Sequence, residues 1–188
     1  MYLIVGLGNP GREYEKTRHN MGFQVIDLLC EKWKTSLNRE DFHGAYVKTK
    51  YNGEDVILCK PYTYMNLSGQ TVMEIAHFYK IPTENIIVIY DDIDFVPVKM
   101  NIKDKGSSGG QKGIQSIIQM MHTEDIKRIK IGVGRPNIPV VDYVLGVPSE
   151  EDKVLINKAH QKAVLALEAM ITKDFNYAMS RYNGWNHY

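Results

Sequence analysis

Ile86-Ile87-Val88-Ile89-Tyr90 is an unbroken apolar run, mostly β-branched, that stops at Asp91-Asp92. A run without polar alternation has no solvent face, so it reads as a strand covered on both sides. The flanking sequence supplies the cover. Apolar residues from Met21 to Trp33 recur at three and four residues, as on one face of a helix. Residues 66–80 repeat that pattern, with Ser68 near the start as a candidate cap. Tyr2 to Leu7 reads as a further strand, closed by Gly8-Asn9-Pro10-Gly11, and residues 45–49 and 55–59 are strands either side of Asn52-Gly53, a hairpin signal. Val98 to Ile102 alternates like a strand, Ile114 to Met121 like a short helix, and Arg128 to Val133 like a half-exposed strand. Ser149-Glu150-Glu151-Asp152 has the form of a capped helix start, opening a long helix through Met170, and a short helix is predicted over Phe175–Tyr182. The order β-α-β-β-α-β-β-α-β-α-α predicts an α/β fold, a single-domain twisted mixed β-sheet with helices on both faces. In such sheets ligands bind beyond the carboxyl ends of the strands, where Asn9 and Asp91 both fall.

Length and composition narrow the class. The chain has 188 residues, 44% hydrophobic and 24% charged, which suits one folded domain and not a disordered tail or a disulfide mini-protein. No apolar run reaches the roughly 18 residues needed to cross a bilayer, and the first residues lack the basic segment of a secretory leader; a soluble cytoplasmic protein is expected. Cys30 and Cys59 have no metal-ligand spacing and read as inert core thiols. Net charge is only +1, yet Lys99 to Arg135 holds eight basic residues against three acidic ones, beside a glycine-rich loop. Such a segment can neutralise phosphates, so nucleic acid or a nucleotide is a candidate ligand; a solvated lysine-rich face is the plainer alternative.

Gly6-x-Gly8-x-x-Gly11 matches the dinucleotide fingerprint literally. Pro10 sits where its helix should begin, and helical periodicity starts only near Met21, so the segment reads better as a turn presenting Asn9. His19 stands in Thr17-Arg18-His19-Asn20, between loop and helix. A histidine base works best when a carboxylate holds its other ring nitrogen, and Asp91 can supply one. Asn9 and Asn66 are neutral amides able to donate to a carbonyl as negative charge develops on it, without neutralising the base. Asn66 could equally be a helix-start residue. No serine or cysteine is set up as a nucleophile, which leaves water as the attacking species. The histidines are too scattered for a metal site, although Asp91-Asp92-x-Asp94 keeps magnesium as a minor alternative.

Six segments, in order, resemble the bacterial-type peptidyl-tRNA hydrolases: Gly6-Leu7-Gly8-Asn9-Pro10-Gly11 with Tyr14; Thr17-Arg18-His19-Asn20-x-Gly22; Met65-Asn66-Leu67-Ser68-Gly69; Asp91-Asp92-x-Asp94; Gly106-Ser107-x-Gly109-Gly110; and Arg128-Ile129-x-Ile131-Gly132-Val133-Gly134-Arg135-Pro136. Phe175-Asn176-x-Ala178-Met179 looks like the family's C-terminal helix. The resemblance implies one peptidyl-tRNA hydrolase-like domain over residues 1–188. Its reaction would be hydrolysis of the ester joining a peptide to the 3′ end of tRNA, recycling tRNA released prematurely from ribosomes, with no metal and no cofactor. It implies His19 as catalytic base, Asp91 as its orienting carboxylate, and Asn9 and Asn66 as holders of water and substrate. Tyr14 and Met65 match positions lining the groove for the peptide end. Lys103 and Lys130 match a cationic pair that grips the 5′ phosphate of tRNA. Arginine is usual at the second position, so Lys130 forfeits bidentate geometry, and the grip should depend more on salt.

The glycine loop departs from the family's Gly-Gly-His-Asn-Gly, reading Gly109-Gly110-Gln111-Lys112-Gly113. Lys112 replaces a substrate-positioning asparagine, and its charge would lower the pKa of a nearby His19. A monomer is expected. Two further readings stay open: a catalytically silent RNA-binding relative, for which Lys112 is the only support, and a nucleotide-dependent oxidoreductase resting on the glycine fingerprint.

Overall fold

The structure is a computed structural model that describes residues 1–93, 99–134 and 140–183, except for the side chain of Val141. Asp94, Val98, Arg135 and Pro136, named above, lie outside the described residues. Along the chain run β1 (Tyr2–Gly6), α1 (Met21–Lys32), β2 (Arg39–Asp41), β3 (Gly44–Tyr51), β4 (Glu54–Pro61), α2 (Ser68–Phe78), β5 (Ile86–Asp92), β6 (Met100–Lys103), α3 (Lys112–Met121), β7 (Lys127–Gly132), α4 (Val140–Val144), α5 (Glu150–Thr172) and α6 (Phe175–Tyr182). The strands form one mixed sheet in the order β2-β3-β4-β1-β5-β7-β6. β1, β4, β5 and β7 are mutually parallel, while β2, β3 and β6 join by antiparallel pairing.

β5 is covered on both faces, as its composition requires. Ile87 and Ile89 pack with α1 and α5, whereas Ile86, Val88 and Tyr90 pack with α2 and α3. Asn52 and Gly53 both adopt positive φ, the geometry of a tight hairpin turn between β3 and β4. β2 and α4 are additions to the expected order, and both are too short to show periodicity: three exposed residues and five residues respectively. Cys30 and Cys59 are buried, and burial pushes both thiols up.

Two expectations are corrected. Ser68 does not cap α2, because a 3-10 turn over Met65–Leu67 runs directly into the helix and the Ser68 hydroxyl donates to Met65 O. β7 is not half-exposed: Arg128 is buried under the glycine-rich loop. Its guanidinium donates to the carbonyls of Ile126, Ser107 and Glu124 at 2.9, 3.1 and 2.9 Å. Alternation alone could not tell a solvated arginine from one whose charge is spent on backbone carbonyls.

Close packing fixes the entry to α1. A Cβ on Gly6 would fall 2.2 Å from Gly22 O, and one on Gly22 would fall 2.3 Å from Ile89 O, so the first turn of α1 lies directly against β1 and β5. That contact sets the preceding turn, which carries His19, over the end of β5. Elsewhere Glu168 on α5 accepts from Lys32 Nζ at 2.6 Å and Trp33 Nε1 at 2.9 Å, tying α5 to α1. Asn183 closes the outer edge of β6, its amide exchanging two hydrogen bonds with the backbone of Ile102 at 2.7 and 2.8 Å. Among the described residues no helix is long and apolar enough to cross a membrane.

Candidate active site

Residues at or just beyond the carboxyl ends of β1, β4 and β5, the loop entering α3, Lys130 of β7 and residues of and after α4 line a cleft of about 570 Å³. His19 and Asp91, 72 residues apart in sequence, meet there. His19 Nδ1 lies 2.9 Å from each oxygen of Asp91. An ionised carboxylate only accepts, so in the neutral ring Nδ1 carries the proton and Nε2 keeps the lone pair for the cleft. The Asp91 side chain is only 3% exposed, which keeps water from competing for the contact. Arg18 braces the turn from the other side. Its backbone N–H donates to Gly146 O, Nη1 donates to Tyr143 O at 3.1 Å, and the guanidinium lies 4.0 Å from the centre of the Tyr143 ring.

Asn9 is oriented by its neighbours. Its Oδ1 accepts from the backbone N–H of Met65 at 3.2 Å, a donor that fixes which end of the amide is which and turns Nδ2 the other way. Asn20 pins the backbone of Asn9 at two points: Asn9 N–H donates to Oδ1 at 2.7 Å, and Nδ2 donates to Asn9 O at 3.0 Å. Opposite these groups, Gln111 caps α3 with Oε1, accepting from Ile114 N–H at 2.8 Å. Its Nε2 donates to Asp91 Oδ1 at 3.1 Å and contacts Met65 Sδ at 3.4 Å. On the other face of β5, Asp92 pairs with Lys130 at 3.3 Å. Burial pushes the Tyr90 phenol beside them up to about 12, so it stays neutral. Among the described residues no group of three or more His, Cys, Asp or Glu side chains could hold a metal ion. A histidine held by a carboxylate in a cleft that also carries the amides of Asn9 and Asn66 is an arrangement able to support general-base chemistry.

A family model described as peptidyl-tRNA hydrolase matches residues 3–187. The chain belongs to the peptidyl-tRNA hydrolase family. Curated relatives named peptidyl-tRNA hydrolase include one from Clostridium botulinum strain Eklund 17B, 50% identical over 185 residues, and one from strain Hall, 46% identical over 184; each match covers 98% of this chain and 97% of the relative. The crystal structure of peptidyl-tRNA hydrolase from Acinetobacter baumannii superposes with a TM-score of 0.94 at 34% identity, covering 98% of this chain and 95% of that one.

Of the residues singled out by the peptidyl-tRNA hydrolase motifs, Asn9, His19, Met65, Asn66, Asp91, Lys112 and Lys130 line the cleft. Asn66 is exposed in the turn before α2 and forms no cap, and Lys112 is the exposed first residue of α3. Tyr14 and Lys103 are not among the lining residues. Tyr14 is half-buried in a 3-10 turn, where its carbonyl accepts from both the N–H and the hydroxyl of Thr17. Lys103 is exposed at the end of β6, its ammonium beside Gly106. It faces Arg128 across the ladder and so shares a face with Lys130, two residues on. Sequence reasoning gave no role to Arg18, Asn20 or Gln111. A small amide at a loop–helix junction, as in Asn20, is a known signal for backbone pairing. Glutamine is not a favoured cap, so although Gln111 stood out as a departure in the glycine loop, its role there was not legible.

Proposed function

We propose that this chain hydrolyses the ester between a peptide and the 3′ end of tRNA, acting as a cytoplasmic monomer that returns tRNA from peptidyl-tRNA released prematurely from ribosomes. The observation that carries the reading is the 2.9 Å contact of His19 Nδ1 with both oxygens of Asp91 at the wall of an amide-lined cleft. His19 Nε2 takes a proton from water as the oxygen attacks the ester carbonyl carbon. Asp91 stabilises the imidazolium that forms. Asn9 Nδ2 and the Asn66 amide donate to the oxygen that becomes negative. Collapse of the tetrahedral intermediate breaks the ester C–O bond, and the imidazolium returns its proton to the departing 3′ oxygen. Met65 forms part of the wall for the peptide end, Lys112 donates to the substrate carbonyl or the terminal nucleotide, and Lys103 with Lys130 holds the 5′ phosphate.

Release of an N-blocked amino acid from tRNA tests the scheme. His19→Ala is expected to cut turnover by about 10²–10⁴ while leaving tRNA affinity nearly unchanged. A wild-type chain that binds RNA tightly yet releases nothing would overturn the hydrolase reading and favour the silent RNA binder.

A further inference from the structure

We infer that Gln111 is a positioning residue that holds Asp91 in register with His19 by tying it to the N-terminus of α3; the inference rests on His19 acting as the base. One side chain makes both connections. The backbone N–H of Ile114 can only donate, so the atom 2.8 Å from it is Oε1, and the atom 3.1 Å from Asp91 Oδ1 is therefore the Nε2 donor. Asp91 is buried, both its oxygens already face His19 Nδ1, and Gln111 supplies a further N–H to Oδ1.

The chemical consequence follows from what an amide is. A neutral donor bonded to a carboxylate favours its ionised form and draws charge from the oxygen that faces the imidazole. The imidazolium is then stabilised less than beside a bare carboxylate. An amide does not ionise, so this donation is constant across the range in which His19 titrates. The link is also mechanical. Gln111 follows Gly109 and Gly110, both at positive φ, and precedes Lys112 in the cleft. A substrate that engages Lys112 or the glycine loop therefore acts on the segment that carries the Asp91 donor.

Gln111→Glu isolates the effect. It keeps the side-chain length and the oxygen that caps Ile114, so α3 stays capped, while loss of the bond to buried Asp91 and like-charge repulsion are expected to lower the thermal unfolding midpoint. It also replaces the donor to Asp91 with a group that repels it when ionised. The other titratable groups lining the cleft, Tyr64, Tyr90, Asp92, Lys112 and Lys130, and the Arg18 guanidinium held against Tyr143, are the same in both proteins. We expect the acid limb of kcat/KM to move up by about one pH unit, a roughly tenfold loss below it, since an added negative charge favours the imidazolium and an opposite charge at close range shifts a neighbour by about 1–3 units. The NMR titration of the His19 imidazole should move by a similar amount. Gln111→Met, which removes both bonds without adding charge, should lower thermal stability and kcat and move the limb less. Titration and rate profiles of Gln111→Glu that overlay the wild type would reduce Gln111 to a helix cap and overturn the inference. Those profiles are read alongside His19→Ala: full activity in that variant sinks the base assignment, while an inert His19→Ala beside an unmoved Gln111→Glu sinks the positioning role alone.

Discussion

The two ring nitrogens of His19 are not equivalent, because Asp91 occupies one of them. Lys112, on the cleft rim, introduces a positive charge where the family pattern carries a neutral amide. A cation disfavours the imidazolium, so Lys112→Asn is expected to raise the proton affinity of His19 and move the acid limb of kcat/KM to higher pH. A pH–rate profile that does not move would remove the electrostatic role proposed for this lysine. The meeting of His19 with Asp91 was legible because the chemistry of a neutral-pH base asks for a carboxylate and the strand pattern put one at a cleft-forming end. Gln111 and Arg128 were not legible. Each acts through hydrogen bonds to groups distant in sequence, and neither the type of a residue nor its spacing reveals which carbonyl or carboxylate it will meet.

Packing on both faces of β5 made the principal strands and helices readable, since β-branched runs and three-and-four spacing are direct consequences of burial. β2 and α4 have too few residues for any period. Burial also leaves a titration in α5. His160 is 6% exposed, its Nε2 finds no partner among the described residues, and burial pushes its pKa down to about 4. An unfolded histidine titrates near 6.5, so between about pH 6.5 and 4 the unfolded chain binds a proton that the folded chain refuses. Stability therefore falls as pH drops through that window, by about 2 kcal/mol between pH 7 and pH 5, and this contribution levels off below the folded pKa. In urea unfolding at those two pH values, His160→Leu is expected to lose that part of the difference; an equal difference in the variant would show that His160 is not its source.

Over the whole molecule, near-zero net charge conceals a basic edge of the sheet built from β6 and β7, which the sequence disclosed only as a cluster along the chain. The structure divides that cluster. Lys103 is exposed and Lys130 lines the cleft, while Arg128 spends its charge on three carbonyls. If the two lysines hold phosphate, Lys103→Ala and Lys130→Ala should each weaken tRNA binding. Each should also flatten the plot of log affinity against log salt by roughly 0.7–0.9. Arg128→Met should cost stability and leave that slope alone; a slope change as large as for the lysines would mean that its guanidinium meets the ligand. The same edge has a second property, set by Asn183. Its amide stands where another strand would pair with β6, yet it follows Ile102 by 81 residues. In a chain made from its N-terminus onward, that border of the sheet stays unsealed until the segment just after α6 has emerged. A molecule truncated before α6 would expose a ready template for pairing with its own kind, and clumping of such fragments would follow from one missing amide and the helix that delivers it.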